Sequence, residues 1–322
     1  MVGERWESYS QALFFAFFRN KRRYGSVIDT VEELLTQFEE YLTRLALASS
    51  TIVNYLTDLR AFARWHVETK GPTVSLLELT PEDIQEYRRY MQTCENWSSA
   101  TINRRLQAIR KFYRFTTEKG LTENNPASEV QLIPTSEPHP PRILTSDEVA
   151  RLLEAVQGGR PSLVKRDYAI LQLLLQTGIK LGELTELRLS DVQLWGNGEG
   201  LLLVGEGDGH GGRQIPLNSV ACAALQEYLR VRPSLAVSDK LFLSQDGNRI
   251  SKRTVQRLVS LYAEAAGLED VSTYVLRHTF AVSTLAETGD ISLVARLLGH
   301  RCKETTAKYL AACEQYPTSD TQ

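Results

Sequence analysis

Between Asn124 and Arg142 the chain places Pro126, Pro134, Pro138, Pro140 and Pro141, nearly half of its 11 prolines. Proline has no amide hydrogen, locks its own φ and turns the preceding residue away from helical geometry. Neither a helix nor a central strand can run through such a stretch, so the chain is divided into two parts that must each bury a core. At 322 residues there is material for about two domains. Residues 124–144 read as an extended linker. On one side lie an N-terminal amphipathic extension, 1–28, and a helical domain, 29–123; on the other lies a second domain, 145–322.

The first part is helical throughout. Val31, Leu34, Leu35, Phe38, Tyr41, Leu42 and Leu45 recur at helical spacing, and Thr80-Pro81-Glu82-Asp83 is a helix start with proline at the first position and acids in the first turn. A weak repeat at an offset of fifty matches Thr51, Ile52, Leu56, Leu59, Arg60, Phe62 and Arg64 to Thr101, Ile102, Leu106, Ile109, Arg110, Phe112 and Arg114. Two copies are too few for a solenoid, which needs about three.

The second copy separates its faces. Ile102, Leu106, Ile109 and Tyr113 share one stripe, while Arg104, Arg110, Lys111 and Arg114 gather opposite, beside Asn103 and Gln107. One reading is a solvated basic face. The other is a helix laid on phosphates with polar tips toward base edges, joined by Arg60 and Arg64 of the first copy. Bulk charge does not choose between them. Net charge is −2, shared as 17 basic against 18 acidic residues in 1–141 and 20 against 21 in 142–322, so a DNA surface must come from clustering.

The second part opens with a capping box, Thr145-Ser146-Asp147-Glu148, and the stripe Val149, Leu152, Leu153 and Val156. A helix from Asp167 to Thr177 stops at Gly178. Strand candidates are Leu201 to Val204, Gln214 to Leu217 and Leu241 to Leu243, the first two joined by the glycine-rich loop Gly205 to Gly212. Helices follow at Ser219 to Arg230, Ser251 to Ala266, Thr273 to Thr288 and Ile291 to Leu298, the last two separated by Gly289-Asp290. The expected fold class is mainly α with a small antiparallel β-sheet.

The cysteines, Cys94, Cys222, Cys302 and Cys313, form neither a CxxC pair nor a disulfide framework, which suits a reducing cytosol. The aromatic run Leu13 to Phe18 is too short to span a bilayer and has the wrong flanking charge for export, so it reads as an amphipathic helix that docks on this protein or a second copy. No membrane role is expected.

Three boxes stand out in the second part: Thr177-Gly178-Ile179-Lys180-Leu181-Gly182-Glu183-Leu184, then Tyr274-Val275-Leu276-Arg277-His278-Thr279-Phe280-Ala281, then Leu297-Leu298-Gly299-His300 with Tyr309 nine residues beyond the histidine. Together they resemble the signature boxes of the tyrosine recombinases, the phage-integrase and Xer-like family. The resemblance covers most of the chain. It implies a helical, SAM-like core-binding domain and a catalytic domain that close on DNA as a C-shaped clamp. Transesterification at a phosphodiester needs a nucleophile, cations around the phosphoryl centre and an acid for the leaving oxygen. The resemblance assigns Tyr309 as nucleophile, and Arg277 and His300 as phosphate ligands. No cluster with metal-ligand spacing is present, so side-chain cations carry the charge, and neither metal nor nucleotide cofactor is called for.

Three positions depart from the family pattern. Lys180 stands where an arginine is usual, keeping the charge but not the planar fork. Glu206 aligns with the hairpin lysine that protonates the leaving oxygen, and phosphate repels a carboxylate. Tyr274 stands where a histidine is usual; its hydroxyl can donate, yet a phenol is a poor base near neutral pH. The hairpin is about two residues longer than usual, and His210 or Arg213 is a candidate substitute, with a solvated mobile turn as the alternative. His278 is expected to point elsewhere and buttress the fold.

The expected activity is site-specific recombination of double-stranded DNA through a 3′-phosphotyrosine. The resemblance implies a homotetramer on two sites, a monomer or weak oligomer when free, exchange through a Holliday junction, and an accessory recombinase or directionality protein as candidate partner. About thirteen residues follow Tyr309, so the C-terminal exchange between neighbours is expected to be short, with Phe14, Phe15, Phe17 and Phe18 supplying part of the contact. The alternative is a homologue that kept the clamp and lost the chemistry, acting as a DNA-binding accessory protein.

Overall fold

The computed structural model describes residues 21–71, 75–134, 140–205, 212–233, 238–300 and 304–313, with side chains from 31 onward except that of residue 304. Two compact units divide at residues 137 and 138. The aromatic run Leu13 to Phe18 lies outside the described residues.

The first unit is built from helices α1 (Lys21–Arg44), α2 (Ser49–Lys70), α3 (Pro81–Thr93) and α4 (Ser99–Glu118). Thr80 caps α3 through Asp83 in a reciprocal capping box, and the Ser98 hydroxyl accepts from Thr101 N at the start of α4. These caps satisfy amides that a helix start leaves unpaired. Inside, Phe38, Phe62, Tyr87, Met91, Phe112, Tyr113 and Phe115 are buried. Their rings meet edge-on or tilted, Phe38 against Phe112 at 5.5 Å and Phe62 against Tyr87 at 4.9 Å. Tyr113 brings a polar end into this core, and its hydroxyl donates to Leu76 O at 2.6 Å.

The proline-rich stretch is not extended along its whole length. Ala127 and Val130 are buried against the first unit. Arg110 Nε donates to Ala127 O at 3.1 Å and its Nη2 to Val130 O at 2.5 Å, while Asn103 exchanges two bonds of 2.8 Å with the backbone of Ile133. Segment 124–134 is therefore strapped to α4 by polar side chains. Proline content reported the absence of helix there, but not the docking.

The second unit contains α5 (Ser146–Gln157), α6 (Val164–Thr177), α7 (Leu181–Glu186), β1 (Val192–Leu194), β2 (Gly200–Val204), β3 (Arg213–Leu217), α8 (Ser219–Val231), α9 (Lys252–Ala265), α10 (Thr273–Thr288), α11 (Ile291–Leu298) and α12 (Glu304–Cys313). Helix α6 is the pillar. Ala169, Ile170, Leu171, Leu173 and Leu174 are fully buried around its circumference, with α5, α8, α10 and β3 against it. The Arg166–Asp167 pair within it is satisfied by Leu243 O and the Tyr262 hydroxyl, as buried charge requires.

The sheet is antiparallel in the order β1-β2-β3, with Val192 opposite Leu202 and Leu202 opposite Ile215. This corrects one strand. Leu241 to Leu243 makes only isolated bridges flanking it, Arg188 to Lys240 and Leu243 to Arg249; the third strand is β1. Three residues with the sequence Val-Gln-Leu are too few to show a period. Helix α10 joins two apolar clusters: Val275 and Leu276 face the pillar, and Phe280, Val282 and Leu285 pack with Val294, Leu298, Tyr309 and Ala312 of α11 and α12.

Candidate active site

Helices α6 and α11 both end on a glycine in the left-handed region, Gly178 at φ 59° and Gly299 at φ 66°. A Cβ on Gly178 would collide with Phe280 and Leu298, and one on Gly299 would come within 2.8 Å of the Arg213 guanidinium. Only glycine permits both the turn and the approach. The result is that the C-terminal carbonyls of two helices converge on one point.

Arg277 occupies that point. It sits one turn into α10, whose N-terminus is capped by Ser272, and it is buried. Nη1 donates to Gly178 O at 2.5 Å and Nη2 to Leu298 O at 2.7 Å. Both helix ends present negative partial charge, which offsets the desolvation of the guanidinium. Burial pushes the Arg277 pKa below its ordinary value, yet an arginine stays charged at any working pH. Among the described residues these bonds, with one to His300, occupy three of its five N–H groups.

His300 follows Gly299 at the same corner. Its Nε2 lies 3.2 Å from Arg277 Nη2, and its Nδ1 lies 2.7 Å from Thr306 Oγ1. A guanidinium can only donate, so Nε2 accepts and Nδ1–H donates to the threonine. Burial first, then the charges of Arg277, Lys180, Lys308 and Arg213, pull the His300 pKa down to about 4. The ring is neutral near pH 7.

Tyr309 lies on α12 and is 1 % exposed. Its hydroxyl is 2.9 Å from His278 Nδ1, and its ring lies parallel to that of His300 at 6.4 Å. Burial raises the phenol pKa, with Arg277 opposing. Lys308 Nζ is 5.0 Å from the same ring. His278, half-buried, is held near pKa 4 by burial and then by Lys308, Arg277 and His300. The expectation that it points away from the site is corrected here. Residues 277 and 278 diverge by about 100° around a helix, and that turns one toward the helix ends and the other toward α12.

Lys180 is exposed at the start of α7, where its backbone N–H donates to Glu183 Oε2 at 2.7 Å, and its charge is felt at His300. Tyr274 is 69 % exposed, with its ring 5.9 Å from that of His278. Arg213 does not reach out as a substitute cation. Its Nη1 and Nη2 pair with both oxygens of Glu183 at 2.9 and 2.8 Å, and its Nε donates to Leu297 O at 2.6 Å. Arg213 and Glu183 thus tie β3, α7 and α11 together beneath the site. Glu183 and Thr306 had no role assigned from the sequence: the partner of Glu183, Arg213, lies 30 residues away, and Thr306 of α12 meets His300, six residues before it, at the corner after α11. Glu206 and His210 lie outside the described residues. Among the described residues no group of three or more His, Cys, Asp or Glu is placed to hold a metal ion.

On α4 the basic face divides. Arg104, Gln107 and Arg114 are exposed; Arg104 is ion-paired to buried Asp58 and Arg114 to Glu118 at 2.9 Å. Lys111 Nζ lies 5.8 Å from the Tyr41 ring. Asn103 and Arg110 turn instead to segment 124–134. On α2, Arg60 pairs with both oxygens of Glu32 at 3.1 Å, and Arg64 is half-buried. Among the described residues no helix is long and apolar enough to cross a membrane.

Both units have counterparts among known proteins. Residues 142–315 match the profile described as "Phage integrase family", and residues 34–123 match "Phage integrase, N-terminal SAM-like domain". A tyrosine recombinase XerC of Roseiflexus castenholzii is 33 % identical over 293 residues, 85 % of this chain and 88 % of the relative. A tyrosine recombinase XerD of Mycobacterium tuberculosis is 33 % identical over 298 residues, 87 % of this chain and 94 % of the relative. The fold is shared with the XerH recombinase bound to palindromic difH substrate after cleavage, at TM-score 0.68 and 21 % identity over 83 % of this chain and 76 % of that one. It is shared too with a lambda integrase tetramer bound to a Holliday junction, at TM-score 0.64 and 17 % identity over 86 % and 76 %. With both of its units matched and bacterial relatives aligned over most of its length, the chain belongs to the phage integrase family, as an Xer-like tyrosine recombinase homologue.

Proposed function

We propose that this protein cuts and rejoins double-stranded DNA at a specific site through a covalent bond to Tyr309. The observation that carries the reading is the convergence of Arg277, His300, His278 and Tyr309 from three separate segments onto one corner of the second unit. Arg277 keeps two N–H groups for phosphate oxygens, and His300, braced by Thr306, stands beside them. The Tyr309 oxygen attacks phosphorus, the 5′ oxygen leaves, and a 3′-phosphotyrosine results; a 5′-hydroxyl from the partner duplex reverses the step. Lys180, exposed at the edge of the site, adds positive charge. Arg104, Gln107, Lys111 and Arg114 on α4 supply a phosphate-facing surface, and Arg60 and Arg64 extend it on α2. By analogy with the DNA-bound dimers and tetramers of its structural neighbours, four protomers on two sites carry out exchange.

A second reading is a DNA-binding accessory protein without cleavage, favoured by Tyr274 and Glu206 at positions where the family pattern has His and Lys. Nicked suicide duplexes carrying candidate sites from DNA flanking the gene separate the two. A covalent adduct on a denaturing gel that disappears with Tyr309→Phe supports the recombinase; shifted duplex without any adduct supports the accessory protein.

A further inference from the structure

Position 274, where the family pattern offers a histidine, carries a tyrosine in this chain, and a phenol is a poor proton acceptor near neutral pH. The Tyr309 hydroxyl nevertheless has an imidazole nitrogen beside it. His278 Nδ1 stands 2.9 Å from Tyr309 Oη, and the rings lie 5.5 Å apart at 55°, so the nitrogen meets the hydroxyl and not the ring face. Hydrogen-bond reach is the first requirement for a general base, and protonation state is the second.

We infer that His278 takes the Tyr309 hydroxyl proton as the strand is cut and returns it as the strand is rejoined. The inference rests on the reading of Tyr309 as nucleophile. In the forward step the Oη–H proton passes to His278 Nδ1 as the Oη–P bond forms and the P–O5′ bond breaks, with O5′ taking a proton from water. In the reverse step a 5′-hydroxyl loses its proton to water, O5′–P forms, Oη–P breaks, and His278 Nδ1–H reprotonates Oη. His278 begins neutral with its hydrogen on Nε2.

The charges around His278 suit this task. Burial first, then Lys308 of α12, Arg277 of its own helix and His300 at the corner after α11 keep the imidazole neutral and able to accept, and the Tyr274 ring faces it from its own helix. A phosphodiester bound at Arg277 brings a negative charge into the same space. An anion close by favours the imidazolium, so His278 gains basicity when the DNA arrives.

The test uses the full chain and a nicked suicide duplex whose scissile bridging oxygen is replaced by sulfur. A thiolate leaves without an acid, so the rate of adduct formation reports activation of the nucleophile alone. His278→Ala and His278→Asn are compared with wild type from pH 6 to pH 10. Asparagine keeps an acceptor where Nδ1 stood but does not take up a proton. The expected result is a loss of about 100-fold or more in both variants at pH 7, shrinking as hydroxide takes over at high pH. A wild-type rate in His278→Asn, or a loss equal at every pH, overturns the inference and leaves His278 a packing residue. Tyr309→Phe separates the two failures: an adduct that survives it, or no wild-type adduct at all, defeats the nucleophile reading and this inference together.

Discussion

Arg277 Nη2 lies 3.2 Å from His300 Nε2, and this one bond sets the proton on the imidazole. The guanidinium donates, the histidine accepts, and Nδ1–H is directed to Thr306. The two groups proposed to hold the phosphate are therefore oriented by the protein's own hydrogen bonds. Arg277→Lys removes the fork and leaves Gly178 O or Leu298 O without its partner. The expected fall in adduct formation is about 100- to 1,000-fold. Thr306→Val loses the outer brace, and a fall of about tenfold is expected from one hydrogen bond. Suicide-substrate assays measure both, with gel shift confirming that binding is retained.

Glycines 178 and 289 end helices α6 and α10 in similar left-handed geometry, but their surroundings differ. Around Gly289 a Cβ meets nothing within 4 Å, whereas at Gly178 it strikes Phe280 and Leu298. Gly289→Ala is expected to cost about 1 kcal/mol from backbone strain alone. Gly178→Ala adds overpacking of about 1–3 kcal/mol and shifts the carbonyl that receives Arg277. Urea denaturation of the two variants gives the comparison, and equal losses would disprove the crowding argument.

His278 and His300 are both held near pKa 4, below the ordinary 6.5 of an unfolded chain. As pH falls the unfolded chain takes up these protons first. The contribution to stability is thus fully present above about pH 6.5 and is lost as pH falls from there toward 4. Both rings are partly open to solvent, so screening limits the effect to the order of 1 kcal/mol each. Unfolding free energies at pH 7.5 and 5.0 should differ less in the His278→Asn, His300→Asn double variant than in wild type.

The face of α4 is divided between exposed side chains, proposed above to meet DNA, and Asn103 and Arg110, which hold segment 124–134. Arg114→Ala is expected to weaken DNA binding evenly across sequences and to reduce the slope of log affinity against log salt by about one. Arg110→Ala removes both bonds to Ala127 O and Val130 O, so its main effect is a lower melting temperature. Filter binding across a salt series together with thermal melts reads the two variants; a larger salt effect from Arg110 than from Arg114 would reverse the assignment.

Much of the fold follows from local chemistry. Helix α10 and helix α11 begin and end where their caps and glycines put them, since Ser272, Gly289, Asp290 and Gly299 act on their immediate neighbours. The three signature boxes were visible as residue patterns for the same reason. Strand β1 was not, because three residues carry no period. Asn103 and Arg110 were misplaced because helical spacing reports a face and not what covers it.

The sequence by itself determined two mainly helical units and their capped ends, and its resemblance to the family singled out Arg277, His300 and Tyr309 as a candidate set. Only the tertiary structure decided how their polar atoms are partnered. The carbonyls of Gly178 and Leu298 reach Arg277 across 99 and 21 residues, Arg213 reaches Glu183 across 30, and Tyr309 reaches His278 across 31. A hydrogen bond depends on distances of a few tenths of an ångström and on direction, and between segments so far apart those are set by the packing of whole helices.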